Sequence, residues 1–161
     1  MKSATRAGTS RPEAAPAFQP EHGITISFPQ AQRYAAWAYL QKGMHQEAIT
    51  SLRAALSQLG RDPEVEGELG HALGVAGRRA EALAMLEGLR QLSSTRYVSP
   101  YSVALVHVGL GDRDQALAWL EKAYVERSDY MAYLGREPML DGLRSDPRFA
   151  ALVRRVGLPP Q

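Results

Sequence analysis

Apolar side chains recur at helical spacing along most of this chain, and glycines and prolines interrupt them at regular places. A glycine commonly ends a helix, whereas a proline that follows a capping residue commonly begins one. These signals predict three pairs of helices, then two short helices, and a final helix that opens at Ser145-Asp146-Pro147. The predicted pairs are 30–42 with 45–58, 63–76 with 79–92, and 99–110 with 113–126, and the short helices are 129–134 and 138–143.

The N-terminal part of the chain has a different composition. Residues 1–22 are rich in alanine, proline, serine, threonine and glycine, and they have too few large apolar side chains to offset the entropy lost on ordering. Ile24, Ile26 and Phe28 then alternate with polar residues, which predicts a short extended segment over 23–28 that pairs with another segment or docks. We therefore predict a disordered tail over 1–28, a helical repeat domain over 29–157 and a C-terminal tail over 158–161.

The last predicted helix has the pattern of a lid, because Phe149, Leu152, Val153 and Val156 share one face. A stack of helix pairs leaves an apolar face open at each end, and an amphipathic helix covers such a face. The first helix, 30–42, has no comparable cover. We expect either that the 23–28 segment folds over it or that the N-terminal helix pair forms a homo-oligomer with another chain.

Comparison of the chain with itself reveals a repeat of 34 residues. Gly43, Gly77 and Gly111 lie at this interval, each between the two helices of a predicted pair. A glycine allows the chain to turn there, and small residues on the helices allow close approach. Five further columns recur at the same interval: Ala35/Leu69/Val103, Ala36/Gly70/Ala104, Ala48/Ala82/Ala116, Leu52/Leu86/Leu120 and Ala55/Leu89/Ala123.

This interval, with its small, glycine and Ala-x-x-x-Leu-x-x-small positions, resembles the tetratricopeptide repeat (TPR) over about residues 29–128. The resemblance implies an all-α fold, namely a right-handed superhelical solenoid of three TPR-like helix hairpins plus short C-terminal capping helices. It also implies a protein–protein interaction scaffold that binds a peptide or protein in a concave groove.

The closing part of the chain carries a second resemblance. The stretches 97–101, 111–124 and 143–149 are similar to the ends of repeat arrays in bacterial multidomain signalling proteins and winged-helix regulators. This similarity implies an alternative function: a regulatory module, or a remnant of a transcription regulator or signalling enzyme, that acts on a separately encoded output domain.

In the TPR family the first helix of each hairpin lines the concave side. The groove positions that this implies are Arg33, Tyr34, Trp37, Leu40 and Gln41 in the first unit, Glu68, His71 and Val75 in the second, and Tyr101, Ser102, Leu105 and Val108 in the third. We expect this surface to be aromatic and aliphatic with few charges. Exposed tyrosine and tryptophan provide large, rigid contact areas. The alternative is that Trp37 and Tyr34 pack on the next hairpin or on the N-terminal segment.

The charges of the chain argue against two kinds of partner. The family variant that clamps an acidic peptide C-terminus uses lysine, arginine and asparagine, and Arg33 alone matches it, so we predict against such binding. The chain has 19 basic and 17 acidic residues, and so small an excess does not by itself recruit nucleic acid. The acids Asp62, Glu64, Glu66 and Glu68 cluster at a predicted helix start, where they offset the helix dipole.

Catalytic and cofactor chemistry finds little support in the sequence. Because the chain has no cysteine, it has no thiolate metal site and no cysteine nucleophile. It also lacks phosphate-loop, metalloprotease and nucleophile-elbow motifs. His22, His45, His71 and His107 form no helical pair for a metal; we expect His45 to be exposed, His71 to give the groove polarity and His107 to pack. We therefore predict no enzyme activity, no cofactor and no metal.

The location of the chain follows from two further observations. Its apolar runs are far shorter than the roughly 20 residues of a membrane span. Its N-terminus lacks the apolar stretch of a secretory signal. We therefore expect a cytoplasmic protein that does not bind membranes.

Overall fold

The computed structural model describes residues 28–157, and within them every regular element is helical. Three helix hairpins are followed by two 3₁₀ segments and a last helix. The elements are α1 (Phe28–Gln41), α2 (His45–Leu59), α3 (Pro63–Val75), α4 (Arg79–Leu92), α5 (Pro100–Gly109), α6 (Arg113–Val125), η1 (Asp129–Tyr133), η2 (Pro138–Leu143) and α7 (Pro147–Val156). This order confirms the predicted all-α helical-repeat solenoid and its capping segments.

Capping side chains and first-turn prolines set where these helices begin. Asp62, Ser99 and Asp146 each accept a hydrogen bond from a backbone N–H of the first turn that follows. A proline stands in the first turn of each of these helices, where the missing N–H has no partner to lose. The helix bounds therefore agree closely with those predicted from the sequence.

One boundary prediction is wrong. Phe28 does not end an extended segment but is the first residue of α1, and its side chain is 59% exposed. Pro29 explains the difference, because its fixed φ suits a first helical turn. Ile24 and Ile26 lie outside the described residues, so a cover over α1, like a homo-oligomer through the first hairpin, stays a prediction.

The three repeat glycines make the same turn. Gly43, Gly77 and Gly111 have φ angles of 71°, 76° and 77°, a left-handed conformation that glycine adopts without strain. In each hairpin the residue after the glycine donates a 2.9 Å backbone hydrogen bond to the carbonyl five residues earlier, to Tyr39, Leu73 or His107. This is the Schellman pattern, and it gives each hairpin the same geometry.

The repeat columns form the packing surfaces between helices. The small residues Ala36 and Ala104, and the second-helix positions Ala48, Ala82 and Ala116, have no solvent-exposed surface. Two apolar cores result. One is formed by the first four helices, α1, α2, α3 and α4, with Val106 of α5, and the other joins α5 and α6 to the C-terminal segments. In the second core Phe149 and Leu152 are buried and Val153 and Val156 pack at its edge, which confirms the predicted apolar face of α7.

Helices α3 and α5 approach each other more closely than the sequence analysis anticipated. A Cβ atom built on Gly74 would lie 2.4 Å from the carbonyl carbon of Gly109, and one on Gly67 would lie 2.7 Å from the carbonyl oxygen of Ser102. Only glycine fits where two backbones touch in this way. These contacts fix the spacing of the two helices that form the floor of the site described below.

No helix within the described residues is long and apolar enough to cross a membrane.

Candidate functional site

Helices α1, α3 and α5, together with η1 and η2, surround a cavity of about 890 Å³ on the concave side, which we call the inner cavity. This volume lies within the range of pockets that hold a ligand or several side chains. Eleven of the twelve predicted groove residues line it: Arg33, Tyr34, Trp37, Leu40, Gln41, Glu68, His71, Val75, Tyr101, Ser102 and Leu105. The exception is Val108, which packs against the C-terminal core instead.

One wall of the inner cavity is formed by residues that were not predicted from the sequence. The additional lining residues are His45 and Glu64 from the hairpins, and Tyr130, Tyr133, Arg136, Glu137, Pro138, Met139 and Asp141 from the C-terminal part. Segments η1 and η2 were predicted as short capping helices, and they also face the concave side. Because they lie beyond the last repeat, the 34-residue register does not place their side chains. The sequence signal that could have indicated this wall is the pair of tyrosines in η1, Tyr130 and Tyr133.

The inner cavity is more highly charged than the sequence predicted. Four carboxylates line it (Glu64, Glu68, Glu137 and Asp141) along with two arginines (Arg33 and Arg136). The cavity has the expected aromatic and aliphatic residues, but the expectation of few charges is wrong. The acid run at the start of α3 is also more than a set of dipole-compensating charges. Asp62 caps the helix, Glu66 pairs with Arg61, and Glu64 and Glu68 line the cavity.

A buried ion pair joins the first two hairpins across the inner cavity. Arg33 donates from Nη2 to Glu68 Oε1 at 2.5 Å and from Nε to Oε2 at 3.1 Å, which is a bidentate geometry. Glu68 is only 4% exposed, and this burial raises its pKa while Arg33 opposes the rise. Both charges are committed to each other, so Arg33 is not free to clamp an acidic peptide terminus.

His71 is a buried neutral residue on the floor of the cavity. Its Nδ1 lies 3.2 Å from the carbonyl oxygen of Leu105, which is an acceptor only, so Nδ1 carries the proton. Burial lowers the pKa of His71 to about 4, and the Leu105 carbonyl opposes this shift. His45 differs from its prediction, because it is half-buried at the cavity edge. Both side chains supply polarity to the cavity.

Aromatic rings occupy two sides of the inner cavity. On α1, Tyr34 and Trp37 make an edge-to-face contact with ring centroids 5.4 Å apart. On the opposite side, Tyr101 and Tyr130 stack with centroids 5.6 Å apart and planes inclined by 20°. Tyr34 is 53% exposed, whereas Trp37 is half-buried and packs against the C-terminal core. Tyr34 is thus the accessible member of the first pair.

Two buried polar atoms of the cavity lining have no hydrogen-bond partner among the described residues. They are His45 Nδ1 and the hydroxyl of Tyr101, a residue that is only 4% exposed, whereas the indole N–H of Trp37 is directed at the Glu68 carboxylate. Within 28–157 one other such side-chain atom occurs, His107 Nδ1, and it lies outside the cavity lining. Buried polar groups are normally paired, so unsatisfied groups concentrate in this cavity.

The described residues contain no group of three or more His, Asp or Glu side chains arranged to hold a metal ion. The carboxylates of the cavity are close enough to influence one another, yet two of them are already committed, Glu68 to Arg33 and Asp141 to Arg144. The lining suits recognition of a polar or charged group next to aromatic rings.

A tetratricopeptide-repeat family model matches residues 35–58, which span the second half of α1, the turn at Gly43 and nearly all of α2. No curated protein and no solved structure matched the chain. The match covers the first hairpin, and the equivalent turns of the second and third hairpins extend the same architecture. Repeat folds of this type are generally protein-interaction modules and typically non-catalytic.

Proposed function

We propose that this protein is an interaction scaffold that binds a polypeptide segment of its partner in the inner cavity. The observation that carries the proposal is the position of the unsatisfied polar atoms. The Tyr101 hydroxyl and His45 Nδ1 have no hydrogen-bond partner among the described residues, and peptide amides and carbonyls are suitable ones. The aromatic rings beside them offer apolar contact area.

The shape of the site also supports a polypeptide ligand. The inner cavity runs from α1 across α3 and α5 to η2, so a ligand there contacts all three hairpins. The ion pair between Arg33 and Glu68 and the glycine contacts between α3 and α5 hold these walls in place. A preformed site lowers the entropy cost of binding. The alternative function, a regulatory module or remnant of a transcription regulator or signalling enzyme that acts on a separately encoded output domain, stays a prediction.

Selection of binders from a random peptide display library on the full chain tests this function. We expect enriched peptides to bind with a Kd in the micromolar range, and Tyr34→Ala to weaken them at least tenfold, because it removes the most accessible aromatic ring of the cavity. Tyr97→Ala is the matched control, since Tyr97 is 64% exposed and lies outside the cavity lining.

Two results would contradict the proposal. One is a selection that enriches no peptide. The other is a set of peptides whose affinity changes equally with Tyr34→Ala and Tyr97→Ala, because such peptides bind elsewhere on the surface. Circular dichroism of both variants checks that each remains folded.

A further inference from the structure

The charges of the inner cavity do not balance. Arg33 is neutralised by Glu68, and Asp141 by Arg144, whose Nε lies 2.6 Å from the Asp141 carboxylate. Two carboxylates remain, Glu64 and Glu137. Both are half-buried, and neither forms an ion pair with a lysine or arginine among the described residues.

The remaining arginine of the lining does not cancel this charge. Arg136 is exposed, so water and salt screen it strongly, whereas charges that are partly removed from water act more strongly on their surroundings. The interior of the cavity is therefore negative.

The negative charge of the cavity affects the pKa values of the two stacked tyrosines, Tyr101 and Tyr130. Burial, followed by the nearby carboxylates Glu137 and Glu68, raises the pKa of Tyr101 far above its usual value. Burial and the carboxylate of Glu64 raise the pKa of Tyr130 to about 12. Both phenols therefore stay protonated and neutral at physiological pH, and their ring faces remain electron-rich.

A positive group is the complement of such a site. A guanidinium or ammonium ion is attracted to the faces of tyrosine and tryptophan rings and to carboxylates at the same time. The buried hydroxyl oxygen of Tyr101, which lacks a partner among residues 28–157, can accept a hydrogen bond from the same cation.

We propose that the inner cavity selects a polypeptide segment by a basic side chain, arginine or lysine, which is held between the Tyr101/Tyr130 pair and the carboxylates of Glu64 and Glu137. This inference rests on the proposed function and adds the chemistry of the ligand. It is opposite in sign to the acidic terminus that a carboxylate clamp would hold.

The test uses three pentapeptides that differ only at the centre: acetyl-Gly-Gly-Arg-Gly-Gly-amide, its citrulline analogue and its glutamate analogue. Citrulline has nearly the shape of arginine but no charge. Each peptide is titrated into the ¹⁵N-labelled full chain, and the indole N–H signals are followed by NMR. The chain has two tryptophans. Trp37 lines the cavity and Trp119 does not, so Trp119 is an internal reference, and Trp119→Phe assigns the two signals.

We expect the arginine peptide to shift the Trp37 signal, to leave Trp119 in place, and to bind at least tenfold more tightly than the citrulline peptide. The glutamate peptide should bind more weakly still. Raising the salt concentration should weaken the arginine peptide most, because its attraction is electrostatic. Glu64→Gln and Glu137→Gln should each reduce its affinity several-fold.

Glu47→Gln is the control, because Glu47 is an exposed carboxylate outside the cavity and the substitution changes the net charge equally. Glutamine at 137 keeps an oxygen that can accept from the N–H of Met139, as Glu137 does, so the cap of η2 is preserved. A Glu47 variant that weakens binding as much as the other two would indicate a general charge effect and would overturn the proposal.

Failure of this inference is distinguishable from failure of the proposed function. If the arginine and citrulline peptides shift Trp37 with equal affinity, peptide binding in the cavity stands and selection for a cation is wrong. If library-selected peptides bind and depend on Tyr34 but carry no excess of arginine or lysine, the conclusion is the same. If none of the pentapeptides shifts Trp37 and the library yields no binder, both proposals fail.

Discussion

The contact between α3 and α5 allows the packing of this solenoid to be tested with a single methyl group. In Gly74→Ala the new Cβ atom would lie 2.4 Å from the carbonyl carbon of Gly109, 2.6 Å from its oxygen and 2.8 Å from the amide nitrogen of Leu110. These obstacles are backbone atoms, which cannot rotate away as a side chain can. The substitution therefore forces α5 away from α3.

Two opposing effects set the magnitude. Alanine in a helix interior is favoured over glycine by about 1 kcal/mol. Overpacking a rigid contact costs about 1–3 kcal/mol, and a clash with backbone belongs at the upper end of that range. We expect Gly74→Ala to lower the free energy of unfolding by about 2 kcal/mol.

Gly88→Ala is the matched control. Gly88 also lies inside a helix, α4, but its Cβ would meet side-chain atoms and no backbone, namely Arg61 Nη2 at 3.3 Å and Glu66 Oε2 at 3.9 Å. We expect this variant to be stabilised by about 0.5–1 kcal/mol. Urea unfolding of both variants, followed by circular dichroism, provides the comparison. If Gly74→Ala proves as stable as Gly88→Ala, the helices are farther apart than described and the floor of the inner cavity is misplaced.

Three further predictions concern charge and backbone conformation. Burial lowers the pKa of His71 to about 4, so the folded protein keeps this ring neutral. The stability that the neutral ring contributes to the fold is fully present above the unfolded-state pKa of about 6.5 and is lost as the pH falls from there towards 4. Urea unfolding at several pH values measures this: relative to His71→Gln, the free energy of unfolding of the protein should fall by about 3 kcal/mol over this range. If the free energies of unfolding of the protein and of His71→Gln change with pH in parallel, burial of the neutral ring is contradicted. Arg33→Met leaves the buried carboxylate of Glu68 unpaired and should cost about 3 kcal/mol at pH 7; adding Glu68→Leu should restore most of this loss, and an additive double variant would show that the pair is not formed. Arg127 has a φ of 55°, so Arg127→Gly should raise the unfolding free energy by about 1 kcal/mol, while Arg127→Ala, which keeps the strained conformation, should give no comparable gain.

The successes of the sequence analysis concern local features. The turn at Gly77 and the cap at Asp62 depend on residues within one helical turn, so they can be predicted from the residues next to them in the sequence. The repeat then transfers one hairpin's geometry to the next. This is why eleven of the twelve groove positions on α1, α3 and α5 line one cavity, among them His71, whose Nδ1 lies 3.2 Å from the carbonyl oxygen of Leu105.

The failures concern contacts between distant segments. Tyr101 was expected on an exposed groove, yet η1 returns to the concave side and Tyr130 stacks on it. Glu68 was expected as a groove residue and as one charge of a helix start, yet α1 brings Arg33 to it from 35 residues away and the two form an ion pair. Neither event has a signal in the local pattern, because each depends on how complete elements pack.

The amino-acid sequence by itself determined the helices, their order, the identical turns between them and the face that each presents to its neighbours. These properties follow from backbone conformational preference and apolar periodicity, which act over a few residues. The tertiary structure alone decided which charges are paired, which rings are buried and that the concave side becomes a negatively charged cavity. Those properties depend on desolvation, and desolvation is set by the segments that surround a side chain in space.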